Sequence, residues 1–228
     1  MKKSRLELRE AFQKLTQENL EIAENNLELM HQTISEAIKD YKKFLSRGKW
    51  NEKEKKIEDI FYDSLTQSYE KTVKSVNSIY EDVKEFDIKD VFQITYKRDG
   101  LTLQERIKNY WAEAWSQLQE YKHEIPEDEE LRIKLYLDYY LDRLLNNETK
   151  IIENVVKKNK RPLNAGVVVI EGGCSCGDGY CDDMVGEYPI GEEPDEWPPF
   201  HPHCECIAYY DTIDDWQELE DIDAEADA

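Results

Sequence analysis

Two stretches of the chain repeat apolar residues at alternating spacings of three and four, for longer than an ordinary globular helix needs. Leu8, Phe12 and Leu15 open the first stripe, and Leu27, Met30, Ile34, Ala37, Tyr41 and Phe44 continue it. Asn19 interrupts it. The second stripe runs Ile57, Phe61, Leu65, Tyr69, Val73, Val76, Tyr80 and Val83. Between them, Arg47-Gly48 supplies a cation and then a glycine suited to cap a helix C-terminus. Asn51 with Glu54 reads as a capping-box start for the next helix. Two amphipathic helices of roughly thirty to forty residues joined by a short turn close into an antiparallel hairpin. Such stripes serve either mutual packing or a partner-binding coiled coil, and mutual packing is the simpler use.

Residues 87 to 100 break this pattern. VFQITY, residues 91 to 96, alternates as a short strand does, and KRDG closes it with a turn. Thr102 and Glu105 predict the cap of a third helix whose face is Leu103, Ile107, Tyr110/Trp111, Ala114, Leu118, Tyr121 and Ile125. Pro126 stops it, because proline disfavours helical geometry in the residue before it. A fourth helix is expected from about Glu127 to Leu145 and a shorter fifth from about Glu148 to Lys158. Tyr136, Tyr139 and Tyr140 suit packing with the hydroxyl left in water. KKNKRP, residues 157 to 162, marks a boundary, and AGVVVIEGG beyond it reads as one buried strand flanked by glycines. PDEWPPFHP holds four prolines in nine residues and is extended, not helical. The expected organisation is a hairpin over 1–86, a short strand plus helical bundle over 87–161, a small Cys/His-rich domain over 162–212 and an acidic tail over 213–228. The fold class is mainly α, with a long N-terminal helical hairpin, further helices, and a small irregular α+β C-terminal domain stapled by a Cys/His cluster.

Hydrophobic residues make up only 39% of the 228 and charged ones 36%, which favours long solvated helices. No apolar run approaches the length of a membrane span. The opening MKKSRLELRE lacks an apolar core, so no secretory signal is expected. The net charge of −21 is unevenly spread: no lysine or arginine follows Arg161, and residues 171 to 228 contain 19 acids. That end would be repelled by nucleic-acid phosphates and attracted to basic protein surfaces, so direct nucleic-acid binding there is not expected. A solubilising tail accounts for the last residues equally well.

All five cysteines fall in two short runs, CSCGDGYC (174 to 181) and HPHCEC (201 to 206). In a cytoplasm, clustered thiols more often bind metal than form disulfides. Zinc takes four tetrahedral donors, often thiolate and imidazole, and such a site contributes folding energy. Cys174, Cys176 and Cys181 offer one knuckle, and His201, His203, Cys204 and Cys206 the other. Gly177 and Gly179 let the first knuckle curl. The candidate ligands are Cys174, Cys176, Cys181, His201, Cys204 and Cys206; Cys176, Cys181, Cys204 and Cys206 make the first set, His201 is the substitute, and His203 and Cys174 are reserves. Disulfide pairing and inert thiols remain alternatives. A catalytic zinc with Glu205 as base is a further one, but no H-E-x-x-H or deaminase-type signature accompanies it. No catalytic residue is assigned.

The cysteine pair Cys176 and Cys181, then Gly186, then Pro198-Pro199 leading into His201-Pro202-His203-Cys204-Glu205-Cys206, resembles the C-terminal end of phage head morphogenesis proteins, minor head proteins related to the F protein of phage Mu. YKRDGLTLQERI, Tyr96 to Ile107, is similar to the segment that opens a helix in that family. The resemblance covers roughly residues 90 to 210. Glu205 stands where the family has an arginine, and Cys174 is an extra cysteine. The resemblance implies a structural, non-enzymatic protein that associates with portal or capsid proteins during assembly in the host cytoplasm and resides in the virion. Oligomerisation around the portal and ejection with the DNA belong to the same expectation. Two other classes stay open beside it: a zinc-dependent hydrolase or nucleic-acid enzyme, and a cellular adaptor whose hairpin binds a partner.

Overall fold

The long stripes fold as helices. The computed structural model describes residues 3–42, 47–80, 83, 101–121, 125–172, 180–195, 197–200 and 204–212. Helix α1 spans Arg5–Tyr41, α2 Arg47–Ile79, α3 Leu103–Glu120 and α4 Glu127–Asn159. Strand β1 (Ala165–Glu171) follows, then the short helix α5 (Tyr180–Met184) and strands β2 (Gly186–Pro189) and β3 (Ile207–Thr212). The protein is thus mainly helical, with one small antiparallel sheet in order β2-β1-β3. The proposed strand VFQITY lies outside the described residues.

Three expectations are corrected in detail. Helix α2 begins at Arg47, so Gly48 lies in its first turn instead of ending α1, and Asn51 is inside the helix. The extension carries Trp50, which is fully buried, and the gain from that burial outweighs the poor helix propensity of a single glycine. The fourth and fifth helices are one: α4 runs through Asn146-Asn147 without a break. Asn147, Glu148 and Thr149 are buried, and tertiary packing overrides their weak propensity. Third, the C-terminal region holds a three-stranded sheet where a single strand was expected.

The chain divides into two compact units, each built from separated segments. The first comprises Met1–Asn19, Ser68–Asp87 and Lys150–Ala228. Its core joins Leu8, Phe12 and Leu15 of α1 and Val76 and Tyr80 of the second stripe to the β1 run Val167 to Ile170 and to Tyr209 and Tyr210 of β3. Phe12 stacks on Tyr209 with ring centres 5.8 Å apart. Tyr80 locks the edge of the sheet, its hydroxyl donating to the Tyr210 carbonyl at 2.6 Å and accepting from the Tyr210 N–H at 3.1 Å. Asn19, the polar break in the first stripe, is fully buried. Its amide donates to Thr72 Oγ1 at 3.0 Å and to Glu153 Oε2 at 2.9 Å. Glu153 also accepts from Thr16 at 2.7 Å and from Lys157 at 2.9 Å, so the carboxylate is ringed by donors. Without them a buried charge would be untenable.

The second unit comprises Leu20–Gln67 and Ile88–Thr149. Thr102 caps α3 as the sequence predicts: its side chain accepts from the Glu105 N–H while the Glu105 carboxylate takes the Thr102 N–H. That fixes the α3 face, and Ile107, Trp111, Ala114 and Leu118 are fully buried. Trp50 stacks on Trp111 at 4.7 Å, and the Tyr41 hydroxyl donates to the Leu118 carbonyl at 3.0 Å. Arg106 pairs with Glu148 at 2.9 Å across α3 and α4. Tyr110, Tyr136 and Tyr140 contact one another, with the Tyr110 and Tyr140 rings 4.8 Å apart. Contacts of Phe12 with Tyr80 in one unit and of Glu36 with Lys53 in the other run in opposite chain directions, as an antiparallel hairpin requires.

Candidate metal centre

The register of the small sheet brings Cys181 together with Cys204 and Cys206. Central strand β1 pairs with β2 so that Ile170 faces Gly186, and with β3 so that Glu171 faces Ile207. Gly186 follows the short helix α5 that bears Cys181, and Ile207 directly follows Cys206. Both cysteine-bearing segments are therefore tethered at the same end of β1. The fourfold apolar run Val167 to Ile170, buried on both sides, holds that strand in the middle of the sheet.

Cys204 to Cys206 immediately precede β3, and burial alternates along them: Cys204 and Cys206 are buried while Glu205 between them is exposed. The C-x-C spacing thus turns two thiols inward and the carboxylate between them outward. Cys181, Cys204 and Cys206 are 2%, 1% and 7% exposed, and their sulfurs all lie within 4.8 Å of one another. Phe200 packs against the trio.

The Cys181 and Cys204 sulfurs are 3.9 Å apart. A disulfide needs about 2.05 Å, and no disulfide joins these cysteines. Four sulfurs placed about 2.3 Å from a central ion have edges of about 3.8 Å, from tetrahedral geometry. The observed separation matches that edge. Three soft sulfur donors gathered in a buried site can hold a thiophilic metal, and they suit zinc, copper(I) or iron far better than calcium or magnesium.

Of the six residues that the sequence singles out, the structure brings Cys181, Cys204 and Cys206 together. Cys174, Cys176 and His201 lie outside the described residues, as does the reserve ligand His203. His31 is not part of the centre: its Nε2 lies 2.6 Å from Asp142 in the second unit, where burial pushes the Asp142 carboxyl above its usual range against the opposing pull of His31.

One residue beside the centre escapes sequence reasoning. Lys150 of α4 donates from Nζ to the Cys204 carbonyl at 2.6 Å. Nothing in its local pattern marks it, because the contact spans 54 residues of sequence. Neighbouring Asn154 donates back to the Lys150 carbonyl at 3.0 Å, bracing the turn of helix that carries it. Among the described residues no helix is long and apolar enough to cross a membrane. Compared with protein-family models, with curated proteins and with solved structures, the chain matches none.

Proposed function

We propose that this chain is a structural, non-enzymatic component of a phage head, a minor head protein that associates with portal or capsid proteins during assembly. The observation that carries the reading is the convergence of Cys181, Cys204 and Cys206, because these are three of the four cysteines through which the sequence resembles the phage head morphogenesis family; the fourth, Cys176, lies outside the described residues. A motif three of whose cysteines meet in one buried cluster is better explained as a working unit than as a chance composition.

Within this reading the cluster holds one structural zinc. When bound, the ion supplies a cross-link between the α5 segment and the run entering β3. Cys181, Cys204 and Cys206 provide three donors, and Cys176 is the candidate for the fourth, with His201, the histidine of the motif, as its substitute. Burial of all three thiols suits a closed structural site more than a catalytic one, which keeps a position open to water. The acidic C-terminal quarter, with its 19 carboxylates beyond residue 170, favours a basic protein surface as the docking partner.

The deciding experiment is peptide mass spectrometry on purified particles of the phage that encodes the chain, with procapsids analysed in parallel. A few copies per particle, and co-purification with tagged portal protein, are expected. Absence from both procapsids and mature particles would overturn the assignment.

A further inference from the structure

The chain is rich in carboxylates, with 51 acids against 30 lysines and arginines. Several of its lysines accordingly find acids: Lys42 reaches Glu130, Lys53 reaches Glu36, Lys71 reaches Glu18 and Lys157 reaches Glu153. Lys150 and Lys158 end instead on main-chain carbonyls. The half-buried ammonium of Lys150 ends on the peptide carbonyl of Cys204, and among the described residues no carboxylate pairs with it. A partly desolvated cation without a counter-charge is costly unless negative charge lies close by. The hydrogen bond sets the ammonium against the main chain of one member of the thiol trio, and a divalent ion on three thiolates retains one net negative charge.

We propose that Lys150 is a positioning and charge-balancing residue of the thiolate centre. Its hydrogen bond fixes the Cys204 main chain, and with it the direction of the Cys204 sulfur, while its ammonium offsets the excess negative charge of the metal–thiolate unit. The inference rests on the metal reading above and adds to it a residue from a helix outside both cysteine runs. It also gives α4 a direct role in the centre, where its neighbour one turn on, Asn154, keeps the Lys150 turn in place. Partners that orient ligands in this way are worth about 10- to 100-fold in metal affinity.

Lys158 provides an internal control. It lies on the same helix and clamps the same unit in a similar way, donating to the Asp195 carbonyl at 2.9 Å and lying 6.0 Å from the Trp197 ring centre. A merely structural lysine–carbonyl clamp predicts the same behaviour at both positions. The test is zinc affinity of the full-length chain by competition with a chromophoric chelator, with the sulfur-to-cobalt absorbance of the cobalt-loaded protein as a second readout. K150M and K150Q should bind zinc about 10- to 100-fold more weakly and give altered cobalt spectra. K150R, which keeps charge and donor, should stay close to wild type, and K158M should match wild type in both readouts. K150Q retains a donor without the charge, so it serves if K150M does not fold. Wild-type affinity in K150M or K150Q, equal weakening by K150R, or equal weakening by K158M would each overturn the proposal. A wild-type chain that binds neither metal would overturn the metal reading itself along with it.

Discussion

Trp50 and Trp111 hold one another by a reciprocal exchange: each indole N–H donates to the other residue's main-chain carbonyl, at 3.4 and 3.0 Å, while the rings stack 4.7 Å apart. Both side chains are fully buried, so the exchange satisfies two donors that water cannot reach. Trp50→Ala should destabilise the second unit by about 3–5 kcal/mol, the usual cost of emptying a large aromatic site. Trp50→Phe should recover much of the packing yet leave the Trp111 exchange half made. Urea unfolding followed by the remaining tryptophan fluorescence would check both, and a loss below 1 kcal/mol for the alanine variant would contradict the described packing.

Burial alone slows modification of the three thiols, so protection is diagnostic only when it depends on metal. Zinc-loaded protein should resist maleimide at Cys181, Cys204 and Cys206 until a chelator is added, and peptide mapping should then find all three labelled. Excess zinc at about a thousand times its dissociation constant should raise stability by about 4 kcal/mol. Cys204→Ser should abolish that gain. Equal labelling with and without chelator would remove the case for a metal.

Glu153 and Lys157 form an ion pair whose side chains are each 2% exposed. Removing one partner leaves a buried charge, so Lys157→Met should cost about 3–5 kcal/mol. Glu153→Gln keeps shape and part of the bonding to Asn19 and Thr16, and should cost less. The double variant should lose clearly less than the two single losses added together. Additive losses in a double-mutant cycle would mean that the pair is not coupled.

The sheet unit should weaken at high pH. Burial pushes the phenols of Tyr80, Tyr209 and Tyr210 above their usual range, with Glu171 adding to the effect at Tyr209. These groups stay protonated in the folded protein while the unfolded chain ionises near pH 10. Their contribution to stability is therefore complete below about pH 10 and is lost as pH rises towards the folded values. Tyr80→Phe should lower stability at neutral pH by about 1–3 kcal/mol, through the lost bonds to Tyr210. It should also flatten the decline above pH 10. An alkaline slope unchanged in that variant would refute the assignment.

Much of the helical architecture is legible in the sequence because it is local. The stripes of α1 and α2 follow from spacing alone, and the α3 start follows from Thr102 and Glu105, residues that satisfy each other within one turn. The continuity of α4 is not local. Asn146-Asn147 looks like a stop, and only the buried pairing of Glu148 with Arg106 and the packing of Leu144, Leu145 and Ile151 carry the helix through it. Strand β2, GEYP, contains the glycine and proline that strands disfavour, and it exists because β1 offers it an edge. Within the centre, the cysteines announce themselves by composition, whereas Lys150 is placed by a fold that no short window of sequence encodes.

Phe12 near one end of the chain rests on Tyr209 near the other. On a ribosome, the first helix therefore emerges long before the residues that cover it. At typical elongation rates of about 5–20 residues per second, Leu8, Phe12 and Leu15 stay exposed for roughly ten seconds or more before β3 is made. The first unit must close late, by a contact that spans nearly the whole chain, which is the slow kind of folding event. Newly made copies would pass through a stage in which the helical hairpin is present and the apolar residues at its open end are uncovered by the sheet, a stage that a chaperone could occupy.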